Sequence, residues 1–116
     1  MNESLDLATC AARAADDKQG FDTIVFDVGE ILSITGYFVI TSASNKRLVR
    51  AIADHIEDQV KNDVGRSPGR VEGHREQQWV LIDYGDVIVH VFAQDTREFY
   101  EIERLYKDAP RVEWRD

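Results

Sequence analysis

The chain has 116 residues, which is enough for one hydrophobic core and too short for two ordinary domains. Its apolar share of 43% and charged share of 31% are typical of a globular protein rather than a disordered one. Twenty-two acidic residues against fourteen basic ones leave a formal charge of −8, which disfavours sequence-specific nucleic-acid binding and favours a basic partner.

The start of the chain and its cysteine content bear on location. The segment before Leu7 carries Glu3 and Asp6 and no basic residue, unlike a secretory signal. No stretch approaches the roughly 20 apolar residues that a membrane span needs. Cys10 is the only cysteine, which excludes an internal disulfide and fits a reducing compartment. We therefore expect a cytoplasmic protein with no membrane partner.

The first elements predicted are a helix and two strands. Apolar residues recur at helical spacing over residues 4–18, with Ser4 as the expected N-cap. Residues 22–27 and 37–42 are rich in β-branched and aromatic side chains and predict strands. The segment 31–34 between them is ambiguous.

The middle of the chain predicts a long helix and a loose loop. Residues 45–63 carry one apolar stripe, and Ser44 is the expected cap of this helix. Residues 65–73 contain a proline and several glycines, so they predict a loop with a short strand near Val71.

The clearest signal is a β-hairpin. Residues 79–84 and 87–92 are two strong strand patterns, and Gly85-Asp86 joins them. A Gly-X pair suits a two-residue type II′ turn, because the first central position requires a positive φ.

The last element predicted is a helix that begins at Asp95-Thr96 and runs to about Tyr106. Its apolar residues are expected to pack against the sheet: Phe99, Tyr100, Ile102, Leu105 and Tyr106. Pro110 ends it, so residues 1–108 are expected to form the domain and 109–116 a frayed tail. The order αββαβββα predicts one α+β domain, a mixed β-sheet flanked by helices.

Acidic residues around the hairpin raise the question of metal chemistry. Asp83, Asp86 and Asp27 lie at predicted strand ends, where carboxylates could hold Mg²⁺ for nucleotidyl transfer. The plainer interpretation is that Asp86 fills a turn position and Asp83 accepts hydrogen bonds from nearby backbone N–H groups. No glycine-rich phosphate loop accompanies them, so we expect no catalytic residue, no metal and no cofactor.

Strand alternation divides the hairpin side chains between two faces. One face carries Trp79, Leu81 and Asp83, and the other carries Val80, Ile82 and Tyr84. Both faces are largely apolar, so helices cover the sheet on both sides or leave one side open. On an open side Trp79 would be a binding anchor; on a covered side it would be a core residue under the last helix.

The hairpin closely resembles the signature of the ribosomal silencing factor family, also called RsfS or Iojap. Residues 79–92 read W-V-L-I-D-Y-G-D-V-I-V-H-V-F, and the family's next helix is matched by Arg97, Tyr100, Ile102, Glu103, Leu105 and Tyr106. Upstream similarities lie at residues 27–28, 33–35, 38–44, 54–55 and 70–73, so the resemblance covers residues 5–106. Gly36 and residues 30–32 depart from the family pattern and leave the contacts there open.

The resemblance implies a fold similar to nucleotidyltransferases but without their active site. It implies binding to the large ribosomal subunit through its basic protein number fourteen, on the intersubunit face. Occupying that face would prevent the small subunit from joining when nutrients are scarce. Free family members are often homodimers, and the same is expected here.

The resemblance also implies a set of partner-binding residues. Trp79 is expected as the apolar anchor, Asp83 and Asp86 as partners for Lys or Arg, and Tyr84 and Tyr100 as neighbours. Two other functions stay open. One is a large-subunit assembly or maturation factor that binds through the same surface, and the other is a metal-dependent nucleotidyltransferase.

Overall fold

The computed structural model describes residues 2–115. The described chain forms three α-helices, one 3-10 turn and six strands. In chain order these are α1 (Glu3–Asp17), β1 (Phe21–Asp27), β2 (Tyr37–Ala43), α2 (Lys46–Asp63), β3 (Arg70–Glu72), β4 (Trp79–Asp83), β5 (Val87–Ala93), α3 (Gln94–Tyr100), the 3-10 turn (Ile102–Arg104) and β6 (Arg111–Val112).

The six strands form one sheet in the order β3-β4-β5-β2-β1-β6. The central pair, β2 with β5, is parallel, and every other pair is antiparallel. The predicted mixed α+β sheet and its hairpin are therefore confirmed. Gly85 has the predicted positive φ, at 91°, and the Tyr84 N–H donates to the Val87 carbonyl at 2.9 Å.

One face of the sheet is closed by α1 and α2. The side chains between the helices and the strands are mostly aliphatic, since valines of the strands meet alanines, valines and isoleucines of the helices, while Tyr84 and Trp114 are aromatic members of the same cluster. Its largest fully buried residues are Leu7, Ile52, Ile56, Ile82, Val25, Val39, Val49 and Val60. Their alternation along β4 and β5 leaves the other side chains of the hairpin on the opposite face.

The opposite face carries a second, more aromatic cluster. Its buried members are Phe26, Val28, Phe38, Ile40, Phe92 and Ala109. The 3-10 turn reaches this cluster through Ile102, and Tyr106 follows it. Because α3 is only seven residues long, this face is covered in part, and Trp79 lies half-buried at the margin of the cover.

Both predicted helix caps are wrong by one or two positions. Asn2 caps α1, because its Oδ1 accepts from the Leu5 N–H at 3.0 Å, and Asn45 caps α2 through the Leu48 N–H at 2.9 Å. Asparagine and serine are about equally good caps, so the sequence could not separate neighbouring candidates. The Ser4 hydroxyl instead donates to the Asp86 carboxylate.

The last helix is shorter than predicted. It ends at Tyr100 because Glu101 adopts a left-handed conformation, with φ 45°, and the chain turns into the 3-10 segment. The expectation that its apolar residues all pack on the sheet is also wrong, since Phe99 is 78% exposed and Leu105 is 75% exposed.

The expected frayed tail is wrong as well. Residues 111–112 form β6, which pairs with β1 through Val25 and Phe26. Trp114 is buried, and its indole N–H donates to the Thr23 carbonyl at 3.1 Å. The chain up to Arg115 is thus attached to the domain.

Within residues 2–115, no helix is long and apolar enough to cross a membrane.

Candidate interaction surface

Trp79 is the centre of a set of aromatic contacts on the partly covered face. Its indole Nε1 donates to His90 Nδ1 at 3.1 Å. Its ring centroid lies 4.8 Å from that of Phe92 and 5.2 Å from that of Tyr100. The indole is thus in contact on several sides while part of it stays exposed.

The register of the hairpin explains this grouping. β4 and β5 pair Trp79 with Phe92 and Leu81 with His90, so these side chains emerge on the same face as neighbours.

Gly73, directly after β3, packs closely against the backbone of Trp79. A Cβ at this position would lie 1.9 Å from the Trp79 carbonyl oxygen, and its φ of 81° also favours glycine.

Exposed apolar side chains extend outward from Trp79. Phe99 contacts Tyr100 with a centroid distance of 4.9 Å, and Tyr100 is 54% exposed. We call Trp79, Phe99 and Tyr100 the aromatic surface. Leu105 and Ile34 are further exposed apolar residues. The sequence had indicated core packing for Phe99 and Leu105, because their helical spacing matches that of a buried stripe.

Arg97 anchors α3 below this surface, a position the sequence pattern did not predict. Its side chain is almost fully buried, and Nη1 donates to the Asp22 carbonyl at 2.6 Å and to Ser42 Oγ at 2.7 Å. Its Nε donates to Glu103 Oε2 at 3.2 Å, beyond the left-handed Glu101. Through these bonds Arg97 ties the corner that carries Tyr100 to the ends of β1 and β2.

His90 is buried at 5% exposure, and burial lowers the pKa of its imidazole to about 4. It is therefore neutral at neutral pH. Nδ1 accepts from Trp79, so the ring proton is on Nε2. Among the residues that the structure describes, Nε2 has no hydrogen-bond partner.

Asp83 and Asp86 leave the same turn but make different contacts. Asp83 Oδ1 accepts from the Gly85 N–H at 2.7 Å, as the plainer interpretation predicted, and Oδ2 lies 3.7 Å from Arg70 Nη2. Asp83 extends on the Trp79 side of β4. Its carboxylate is thus at the rim of the partly covered face.

Asp86 is held on the other side by Arg66. The two guanidinium nitrogens donate to its two carboxylate oxygens at 2.9 and 2.8 Å, and Ser4 donates as well. Hydrogen bonding from Arg66 lowers the pKa of Asp86 to about 2. Its negative charge is therefore largely neutralised by Arg66.

Tyr84 lies in the core under the helices. It is 6% exposed, and burial raises the pKa of its phenol above the ordinary value. The structure therefore brings Trp79 and Tyr100 together. Asp83 lies on the same face of β4 but at its other end, roughly 13 Å from Trp79 along the strand. The structure places Tyr84 and Asp86 away from this group.

The three aspartates considered for a metal site do not converge. Asp27 is on β1 and Asp83 is on β4, with β2 and β5 between them. Three strand spacings separate the two by about 14 Å, too far for a shared cation. Over residues 2–115, no group of three His, Cys, Asp or Glu side chains has the spacing of a metal site.

Curated relatives carry names that refer to the ribosome. The chain is 42% identical over 100 residues to the ribosomal silencing factor RsfS of Bacillus subtilis, covering 86% of this chain and 84% of the relative. It is 31% identical over 87 residues to the mouse protein named mitochondrial assembly of ribosomal large subunit protein 1. That match covers 73% of this chain and 38% of the mouse protein.

A solved structure and a family model agree with these matches. The fold is similar to a crystal structure of a Chromobacterium violaceum protein, with a TM-score of 0.86 and 31% identity over 92% of this chain and 88% of that one. The model of the family described as ribosomal silencing factor during starvation matches residues 1–116. The chain belongs to this RsfS family.

Proposed function

We propose that this protein binds the large ribosomal subunit through its basic protein number fourteen and blocks joining of the small subunit when nutrients are scarce. Family membership supports a role in ribosome silencing or assembly. The observation that carries the site is the aromatic surface, where Trp79 is half-buried and Phe99 and Tyr100 are exposed. Exposed aromatic side chains of this kind are typical interface anchors.

Charge supports a basic partner. The net charge of −8 would accelerate encounter with a lysine- and arginine-rich ribosomal protein. Asp83 is the acidic residue of the predicted set that shares the face of β4 with Trp79, at the other end of that strand, so we assign it the role of meeting a cation. Asp86 and Tyr84 are left out of the proposed contact because Asp86 is paired with Arg66 and Tyr84 is buried.

We also propose that the protein acts in the cytoplasm as a binding protein, not an enzyme. When free it would form a homodimer that shields its exposed apolar side chains. Light scattering of the free protein tests the dimer, and a monomer at all concentrations would remove it. Calorimetry with nucleotides and Mg²⁺ or Mn²⁺ tests the enzyme alternative, and saturable binding would favour it.

Co-sedimentation in sucrose gradients tests the main proposal. The purified protein should be retained on isolated large subunits, not on small subunits, and should reduce the yield of joined ribosomes. Retention with unchanged joining would favour an assembly or maturation factor, as the name of the mouse relative suggests. No retention on large subunits would contradict both functions.

Two variants locate the contact. Trp79→Ala should weaken binding to large subunits at least roughly thirty-fold, because a truncated interface aromatic commonly costs over 2 kcal/mol. Tyr84→Phe is the matched control, since it changes an aromatic residue on the helix side. A folded Trp79→Ala protein with wild-type affinity would contradict the role of the aromatic surface.

A further inference from the structure

The hydrogen bond between Trp79 and His90 has properties that packing alone does not explain. His90 lies on β5, fully within the sheet, and its neighbours in space include Phe38 and Phe92, with centroid distances of 4.9 and 6.1 Å. An apolar residue would fill such a place without burying a polar group. Its Nε2–H has no partner among the described residues, and burying an unpaired donor lowers stability.

The His90 side chain accepts a hydrogen bond from the Trp79 indole N–H. The ring contacts that Trp79 makes with Phe92 and Tyr100 are tilted, at 32° and 47°. Ring contacts of this kind tolerate sliding and rotation, whereas a hydrogen bond to an sp² nitrogen is directional. The bond therefore specifies which edge of the indole faces into the protein.

The indole has one polar atom, Nε1, and this atom is turned toward His90. The exposed remainder of Trp79 is consequently all carbon. A partner that covers it needs no hydrogen-bond acceptor at this point, and an acceptor placed there would be left unpaired.

We propose that His90 is a positioning residue for docking: it holds the Nε1 edge of Trp79 inward, so that the partner must present an apolar group to the indole. This inference rests on the proposed function, which makes Trp79 part of the contact. It identifies the partner's chemistry at the centre of the interface as aliphatic or aromatic, with basic groups restricted to the rim near Asp83.

A pair of substitutions separates this role from packing. His90→Asn keeps an acceptor, since its Oδ1 can occupy the place of Nδ1, whereas His90→Phe keeps a planar ring and removes the acceptor. His90→Leu serves the same purpose as His90→Phe if the larger ring does not fit. The apolar variants also remove the unpaired donor, so they should not lower the melting temperature as a disrupted core would.

The first readout is the indole N–H resonance of Trp79 in ¹⁵N-labelled protein. In His90→Phe this resonance should shift and its exchange with water should accelerate, while His90→Asn should retain the wild-type behaviour. Trp114 is an internal control, because its indole donates to the Thr23 carbonyl, on another part of the sheet. An unchanged Trp79 resonance in His90→Phe would contradict the inference.

The second readout is affinity for large ribosomal subunits. We expect His90→Phe to bind about tenfold more weakly and His90→Asn to bind within about threefold of the wild type. Equal affinity of His90→Phe and wild type, or an equal loss in both variants, would overturn the positioning role. If the wild type itself does not bind, the proposed function fails and the docking role with it, while the resonance still reports whether His90 orients Trp79.

Discussion

The two faces of the sheet differ in composition and in closure. The face under α1 and α2 is mainly aliphatic, and its strand side chains are almost completely buried. The opposite face is aromatic and is covered by a seven-residue helix and a 3-10 turn, which leave Phe99, Tyr100 and Leu105 exposed. Stability is thus expected to depend mainly on the first face and binding mainly on the second.

The difference also shows in how polar groups are treated. On the helix side, the Asp86 carboxylate is neutralised by Arg66. On the other side, His90 keeps an unpaired donor and the Trp79 ring stays half-exposed. Uncompensated features of this kind are common at functional sites, where evolution retains them at some loss of stability.

The largest expected loss of stability comes from a cavity in the core between the two long helices and the sheet. Ile52→Ala removes a fully buried side chain between α2 and the sheet and should lower the free energy of unfolding by about 4 kcal/mol. Phe99→Ala on the exposed side should change it by less than about 0.5 kcal/mol. Urea denaturation measures both. A comparable loss in the two variants would contradict the proposed division between the faces.

A second prediction concerns the glycine beside Trp79. Gly73→Ala places a methyl group against the Trp79 carbonyl and adds left-handed strain, so we expect a loss of more than about 3 kcal/mol. Gly65 has a similar φ of 77° but open space around it, so Gly65→Ala should lower the free energy of unfolding by only about 1 kcal/mol. Thermal unfolding compares them, and equal losses would show that strain alone matters at Gly73.

The buried histidine predicts a pH dependence of the aromatic side. The folded-state pKa of His90 is about 4 against an ordinary 6.5, so the unfolded chain takes up a proton first as the pH falls. His90 therefore does not affect the free energy of unfolding above pH 6.5, and it lowers that free energy by about 3 kcal/mol as the pH falls from 6.5 to 4. In His90→Asn this part of the pH profile should be flatter. Identical profiles from urea titrations would contradict a neutral, buried His90.

The smallest expected effects come from the two aspartates at the hairpin turn, Asp86 and Asp83. Asp86→Asn should lower stability by about 1 kcal/mol at neutral pH, because the pair with Arg66 is partly exposed to solvent. Since the pKa of Asp86 is lowered to about 2, this difference should disappear as the pH falls from about 4 to 2.

The two aspartates should also differ in their effect on binding, where Asp83 is expected to matter more than Asp86. Asp86→Asn should bind large subunits as the wild type does, and Asp83→Asn should bind a few-fold more weakly, because one rim charge contributes up to about 1 kcal/mol. Co-sedimentation at low and high salt measures this. A larger loss for Asp86→Asn would place the contact on the helix side.

The sequence predicted β1 to β5 and the division of the hairpin side chains between the two faces correctly. Alternation along 79–84 separates Trp79 from Tyr84, as the structure confirms. It could not tell which face the two long helices cover, because both faces carry large apolar residues. Tyr84 entered the expected contact set through the family resemblance, although alternation already placed it on the face opposite Trp79.

The errors at the C-terminus have a local cause. Phe99, Ile102 and Leu105 recur every third residue, which predicts a continuous helix. The left-handed Glu101 interrupts it, and that conformation is uncommon for glutamate. β6 has only two residues and comes directly after Pro110, so it is too short for alternation to show. The apolar Trp114 was the available sign that the tail packs on the domain.

The central pairing of the sheet sets constraints on how the chain reaches its native state. In the parallel pair, Tyr37 lies opposite Val87, fifty positions later in the chain. The middle of the sheet therefore cannot close until β5 has been synthesised, and β6 follows later still. Long-range closure of this type slows folding and leaves strand edges temporarily unpaired. A newly made molecule consequently passes through a stage in which its hydrophobic β-segments are open to aggregation, and rapid formation of α1 and α2 would shorten that stage.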